Sequence, residues 1–258
     1  MAPRRKTKHK KRNIKQWLFI IAIIVFAFAA KYFEDWWLGK NPVRYPEFGI
    51  AIPGGYSIHG IDVSHHQSMI DWAEVKAMKV KNIQIGFTFI KATEGNGNTD
   101  SQFDRNWQKA KKAGIYCGAY HFFIPSKDGR TQAENFISNV KLSSKDLPPV
   151  LDIEQLNGTP IITLKKELKE WLAIVENHYG VKPILYTNVD FYEKNLGSDF
   201  DSYPLWAAHY YESKEPRINR GWVFWQHSDN GTVNGISPKV DFNVFIGDST
   251  EFKSMLIP

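Results

Sequence analysis

Leu147-Pro148-Pro149-Val150-Leu151-Asp152-Ile153-Glu154 is a short apolar run that ends on two acids. Pro148 and Pro149 exclude a helix interior, and the Val-Leu-x-Ile pattern suits a buried strand. Side chains two apart on a strand face the same way, with Cα atoms roughly 6.5 Å from each other, so Asp152 and Glu154 would share one space. Like charges that close raise the proton affinity of one member, which keeps a carboxylic acid available for proton donation. Cleavage of a glycosidic bond uses such a pair, one acid for the leaving oxygen and one anion beside the developing cation. Alone, the same tripeptide also ends strands whose charges are simply solvated.

Working outward, seven further β-rich runs flank this one: Ile58 to Val63, Ile83 to Ile90, Ile115 to Phe122, Pro183 to Tyr186, Leu205 to Ala208, Trp222 to Gln226 and Val240 to Phe245. Helical periodicity fills the early gaps over Asp71 to Lys79, Ser101 to Ala113, Arg130 to Val140 and Leu164 to Tyr179, whereas the last three strands follow one another with little room for helices. Strands alternating with helices argue for a parallel sheet, and eight strands argue for closure. The expected fold is therefore α/β, an irregular TIM-type barrel with helices mainly in its first half. Active sites of such barrels lie at the C-terminal strand ends, where Asp62, Tyr120, Glu154, Tyr186, Trp206, Gln226 and Asp241 fall.

The motifs come in a fixed order: Gly60-Ile61-Asp62-Val63-Ser64-His65-His66-Gln67, Ile70-Asp71-Trp72, Phe89-Ile90-Lys91-Ala92-Thr93-Glu94-Gly95, Gly118-Ala119-Tyr120-His121-Phe122-Phe123, Asp152-Ile153-Glu154, Trp225-Gln226 and Val240-Asp241-Phe242-Asn243. This series, spanning about residues 58 to 247, resembles the family 25 glycoside hydrolases, the bacterial and phage muramidases also called lysozymes. The resemblance implies hydrolysis of the β-1,4 bond between N-acetylmuramic acid and N-acetylglucosamine in peptidoglycan, acid-assisted and with net retention. It assigns the general acid to Glu154 and makes Asp152, Asp62 and Asp241 the other catalytic acids. Asp152, kept ionised, would orient the substrate's 2-acetamido group or stabilise the cation directly. Tyr120, Tyr186, Trp206 and Trp225 are candidates for packing on sugar faces, and Gln226 for bonding an acetamido or hydroxyl group. Lys91 and Glu94 read equally as a ligand contact and as a buried ion pair or loop brace.

Other readings stay open. A related β-glycosidase could act on chitin-like or N-glycan chains, although the chitinase-type Asp-x-x-Asp-x-Asp-x-Glu pattern is absent because Val150 stands where one of its acids would. A wall-binding module without turnover is the alternative from another class. No cofactor and no metal are expected: the adjacent His65 and His66 diverge and lack a matching ligand set. Cys117, the only cysteine, excludes an internal disulfide and reads as a small buried hydrophobe.

Among 258 residues the formal charge is +6, but eight of the 33 basic residues (Arg4, Arg5, Lys6, Lys8, Lys10, Lys11, Arg12 and Lys15) precede Trp17, where no acid stands. The remaining 25 face 27 acids, so residues 17–258 carry a formal charge of −2 and the basic excess belongs to the tail. Nucleic acid is not an expected partner, because those basic residues are not interleaved with aromatics on a folded face. The domain plan is a basic cytoplasmic tail over 1–16, a membrane anchor or signal segment over 17–38, a linker over 39–57 and a catalytic barrel over 58–258. Trp17 to Ala30 is uncharged, and Tyr32, Phe33, Trp36, Trp37 and Leu38 would form an interfacial belt. Both readings of the segment, single-pass anchor or cleaved signal, export a monomeric barrel to the cell envelope, where peptidoglycan glycan strands and the membrane are its partners.

Overall fold

The computed structural model describes residues 14–258, and within its first helix, Ile14–Lys40, the side chains of residues 17–33. Eight strands close into a barrel: β1 (Ile58–Val63), β2 (Ile83–Glu94), β3 (Tyr116–Phe122), β4 (Val150–Asp152), β5 (Ile184–Asn188), β6 (Leu205–Ala208), β7 (Phe224–Gly231) and β8 (Val240–Phe245). Neighbours from β1 to β7 pair in parallel, and β1 to β7 thus form seven consecutive staves. β8 closes the ring by running antiparallel to both β7 and β1. All eight expected strands are present, and one feature differs. Asp241 lies at the start of its strand, not the end, and reaches the barrel mouth only because β8 is reversed, which sets it in register with Asp62.

The barrel interior is packed with rings. Phe87 and Phe89 of β2 point inward, and the residues that pair with them on the flanking strands are Gly60 and Gly118. A Cβ at Gly60 would stand 2.5 Å from the Phe87 ring, and one at Gly118 2.5 Å from the Phe89 ring. Only glycine lets both rings lie flat against their neighbours. Phe89 in turn stacks on Trp206 at 4.3 Å between ring centroids, and Phe224 closes against both phenylalanines at 5.1 Å.

Helices α1 (Trp72–Ala77), α2 (Phe103–Lys112), α3 (Gly129–Asn139) and α4 (Ile161–Tyr179) cover the first half. Asp71 and Asp128 cap α1 and α3 by accepting hydrogen bonds from backbone amides, as short-chain acids do at helix starts. Gly180, at φ +69°, ends α4 in the left-handed conformation that glycine adopts without strain.

The second half has only short helical turns over residues 189–200 and the helix Ser249–Ser254, and another segment covers β7 and β8. Residues 43–57, expected to be linker, form a hairpin of Val43–Tyr45 and Ile50–Ile52 packed on the outer face of β7 and β8. Phe48 is fully buried, with its ring edge on Phe242 at 5.3 Å, and Tyr56 meets Trp222 and Trp225, each at 6.0 Å. The breakers that suggest a linker shape the hairpin turn instead: Gly49, at φ +70°, accepts the tight reversal after Pro46. Outward-facing Trp225 and Phe242 need an apolar cover, and Phe48, Ile50 and Ile52 supply it.

Every described side chain from Trp17 to Phe33 is exposed. Among the described residues no helix is long and apolar enough to cross a membrane, so the anchor expected over 17–38 has no spanning helix in support. The basic tail through Asn13 and the side chains of Lys15, Trp36, Trp37 and Leu38 lie outside the described residues.

Candidate active site

At the mouth, a pocket of about 180 Å³ is lined by Asp62, Asp152, Glu154 and Asp241 together with Lys91, Tyr120, Tyr186, Trp206 and Gln226. Four acids from three strands and one loop thus face one small space. β4 stops at Asp152, and Glu154 follows in irregular chain, held near by the Ile153 amide, which donates to the Tyr186 carbonyl at 3.0 Å.

Asp62 is the best-organised acid. Its Oδ2 accepts from Gln226 Nε2 at 2.8 Å and from Asn243 Nδ2 at 2.7 Å. Both amides are themselves oriented. Tyr186 and Tyr210 donate to the Gln226 oxygen at 2.8 and 2.7 Å, and Trp206 Nε1 donates to the Asn243 oxygen at 2.7 Å. With their oxygens so engaged, the two amides can present only N–H to Asp62. Burial pushes the Asp62 carboxyl up, while the hydrogen bonds from Asn243, Gln226 and Asp241 pull it back. Asp241 is pushed up to about 9, first by burial and then by the charge of Asp62. Two amide donors favour the anionic form of Asp62, and that charge favours a protonated Asp241.

Asp152 and Glu154 form a second pair. Burial raises both, and the charges of Glu154 and Asp62 raise Asp152 further. Asp152 is 6% exposed, and its buried Oδ1 has no hydrogen-bond partner. A hydrogen bond from Asp152 draws Glu154 back down. Asp152, the more deeply buried of the two, is pushed up further than Glu154.

Of the expected sugar-facing aromatics, Tyr120, Tyr186 and Trp206 line the pocket. Trp225 does not. It alternates outward as its neighbour Gln226 turns inward, is fully buried, and donates from Nε1 to the His209 carbonyl at 2.9 Å. Lys91 lines the pocket and pairs with Glu94 at 2.6 Å. His65 Nδ1 meets Asp100 at 2.7 Å and braces the loop after β1. Cys117 is buried, its thiol raised by burial. His121 sits behind the rim, stacked on Trp171 and held neutral by burial, with its pKa lowered to about 3.

Two contributors escaped the sequence reading. Tyr210 lies past the end of β6, where no periodicity marks it, and Asn243 stood in a quoted motif without a role. Glu154 also lines an open groove of about 670 Å³ with Asn188, Asp190, His209, Tyr211 and Arg217. Tyr211 is 94% exposed and held at φ +63°, a strained backbone for a side chain of its size.

The sequence profile of Glycosyl hydrolases family 25 matches residues 61–236. The uncharacterized protein YegX of Escherichia coli (strain K12) is 44% identical over 84% of this chain and 79% of its own. Lysozyme M1 of Streptomyces globisporus is 35% identical over 77% of this chain and 71% of its own. The structure of a family 25 glycosyl hydrolase from Bacillus anthracis superimposes with a TM-score of 0.71 at 35% identity, covering 78% of this chain and 94% of that one.

Proposed function

Since the chain belongs to glycosyl hydrolase family 25 and is a glycoside hydrolase, we propose that it is a muramidase, cleaving the β-1,4 bond between N-acetylmuramic acid and N-acetylglucosamine in peptidoglycan. The observation that carries this reading is the convergence of Asp152, Glu154, Asp62 and Asp241 on one pocket. Its volume of about 180 Å³ lies below the roughly 300–1,000 Å³ of sites that enclose larger ligands, so it suits a single sugar ring.

Glu154 is the acid. It alone of the four also lines the open groove, so a leaving oxygen can reach it while the leaving chain lies over Tyr211. Asp152 orients the acetamido group. Asp152 lines the pocket beside Glu154, and an acetamido N–H donated to its carboxylate favours the Asp152 anion. The proton of the pair then passes to Glu154, so substrate binding itself arms the acid. The acetamido oxygen attacks the anomeric carbon, Glu154 releases its proton to the leaving oxygen, and water later opens the cyclic intermediate with retention. Asp62, its charge fixed by two amides and the Asp241 hydroxyl, faces the developing cation.

The substrate puts the working enzyme outside the cytoplasm. Residues 17–33 support export, being apolar for most of their length and exposed throughout, and the anchor and cleaved-signal readings differ in the mass of the mature chain.

Purified peptidoglycan digested by the protein and analysed by mass spectrometry should yield reducing N-acetylmuramic acid; reducing N-acetylglucosamine would replace the assignment. Glu154→Gln keeps the shape and removes the transferable proton, and should lower turnover by about 10³-fold with an unchanged melting temperature.

A further inference from the structure

Outside the catalytic pocket, a groove of about 620 Å³ lies between α1 and α2. Met69, Ile70 and Trp72 line one part of it, and Arg105, Lys109 and Lys112 another. The cations stand four and three residues apart on α2, hence on one face, and span about 10 Å at 1.5 Å per residue. None of the three makes an ion pair among the described residues, in contrast to Lys91, Lys111 and Arg130. Lys109 and Lys112 are exposed, and the half-buried Arg105 keeps one guanidinium nitrogen, Nη1, buried without a hydrogen-bond partner. One acid, Asp71, also lines the groove, but its Oδ1 already accepts from the Ala73 and Glu74 amides. A positive groove on a chain whose residues 17–258 carry a formal charge of −2 is a local feature and not a general surface property.

We propose that this groove docks the carboxylate-bearing peptide stems of peptidoglycan, beside the glycan strand that enters the catalytic pocket. The proposal rests on the muramidase reading for its ligand. An extended peptide advances about 3.3–3.6 Å per residue, so carboxylates three residues apart match the span of the cations. Met69, 74% exposed, offers an apolar contact to the short aliphatic side chains between such carboxylates, which a phosphate polymer lacks. The groove is also close along the chain: Ser64 and His66 line the acidic pocket, and Met69 and Ile70 line the groove.

The test uses the full chain carrying Glu154→Gln, sedimented with insoluble peptidoglycan at low and high salt. Adding Arg105→Gln, Lys109→Gln and Lys112→Gln should weaken binding about tenfold at low salt and flatten its salt dependence. If the triple variant melts lower, Lys109→Gln with Lys112→Gln should still flatten the salt dependence. Free tetrapeptide stem should compete for the intact groove, and inorganic phosphate at equal ionic strength should not. In the Glu154 background, the charge variants should hydrolyse intact peptidoglycan more slowly while cleaving amidase-stripped glycan at the native rate. Unchanged sedimentation, equal loss on stripped glycan, or competition by phosphate alone would each overturn the docking role. Failure of the native protein to cleave either substrate would instead refute the muramidase reading.

Discussion

Asp241→Asn should make the protein more stable at neutral pH, although it touches the catalytic cluster. Asp241 binds its proton up to about pH 9 when folded, against an ordinary value of 3.8. At pH 7 the unfolded chain has released that proton and the folded chain keeps it, so folding must take one up. Each pH unit of separation corresponds to about 1.4 kcal/mol, and neutrality stands roughly three units above the ordinary value, giving a cost of about 4 kcal/mol. Because the folded value is the raised one, the corresponding stability is fully present below about pH 4 and is lost progressively as pH climbs towards 9. Asparagine has no proton to take up, and its amide can still donate to Asp62. The expected gain at pH 7 is about 2–4 kcal/mol, or roughly 5–15 °C in melting temperature for a domain of this size. Melting followed by circular dichroism at pH 4.5, 6, 7 and 8.5 isolates the effect, since any constant packing change cancels in the difference between pH values. The gain over the native protein should be small at pH 4.5 and widen at each step. A gain that does not vary with pH, or one that shrinks as pH rises, would mean that Asp241 is ionised in the folded state and that the one-proton account of the Asp62–Asp241 pair is wrong.

Asp62→Asn should cost turnover about 10²–10³-fold, far more than Asp241→Asn, because it removes the charge that Gln226 and Asn243 are arranged to hold; equal losses in the two variants would remove the distinction between anion and neutral donor. Phe48→Ala should destabilise the barrel by about 3–5 kcal/mol in urea unfolding, and a loss under about 1 kcal/mol would show that the hairpin is not part of the cooperative unit. Gly118→Ala should cost about 1–3 kcal/mol or more and lower activity as well, because its methyl group displaces Phe89, on which Trp206 of the pocket stacks; full activity in that variant would uncouple the packed interior from the site. Tyr211→Ala should leave the melting temperature unchanged and raise KM on peptidoglycan while sparing hydrolysis of a glycoside with a small aryl leaving group, and equal losses on both would remove Tyr211 from the leaving-group side.

The sequence determined a good deal unaided. Strand and helix periodicity is local, so all eight staves and the four covering helices were legible from residue patterns, and the family resemblance carried by the short Asp-containing motifs marked Asp62, Asp152, Glu154 and Asp241 as one group. Other features required the closed ring. The reversal of β8, which carries Asp241 to the mouth from the wrong end of its strand, depends on pairing between the first and last staves, a contact across nearly the whole domain. Trp225 and Gln226 are adjacent and equally suited to sugars, and only the facing of the strand decides that Gln226 enters the site while Trp225 goes to the outer packing. Residues 43–57 look structureless because their apolar residues have no partners nearby in sequence; their partners are on β7 and β8. Which carboxyl of the Asp152–Glu154 pair rests protonated was likewise a tertiary matter, since a proton's preference follows burial and neighbouring charge, and neither exists until distant strands enclose the pocket.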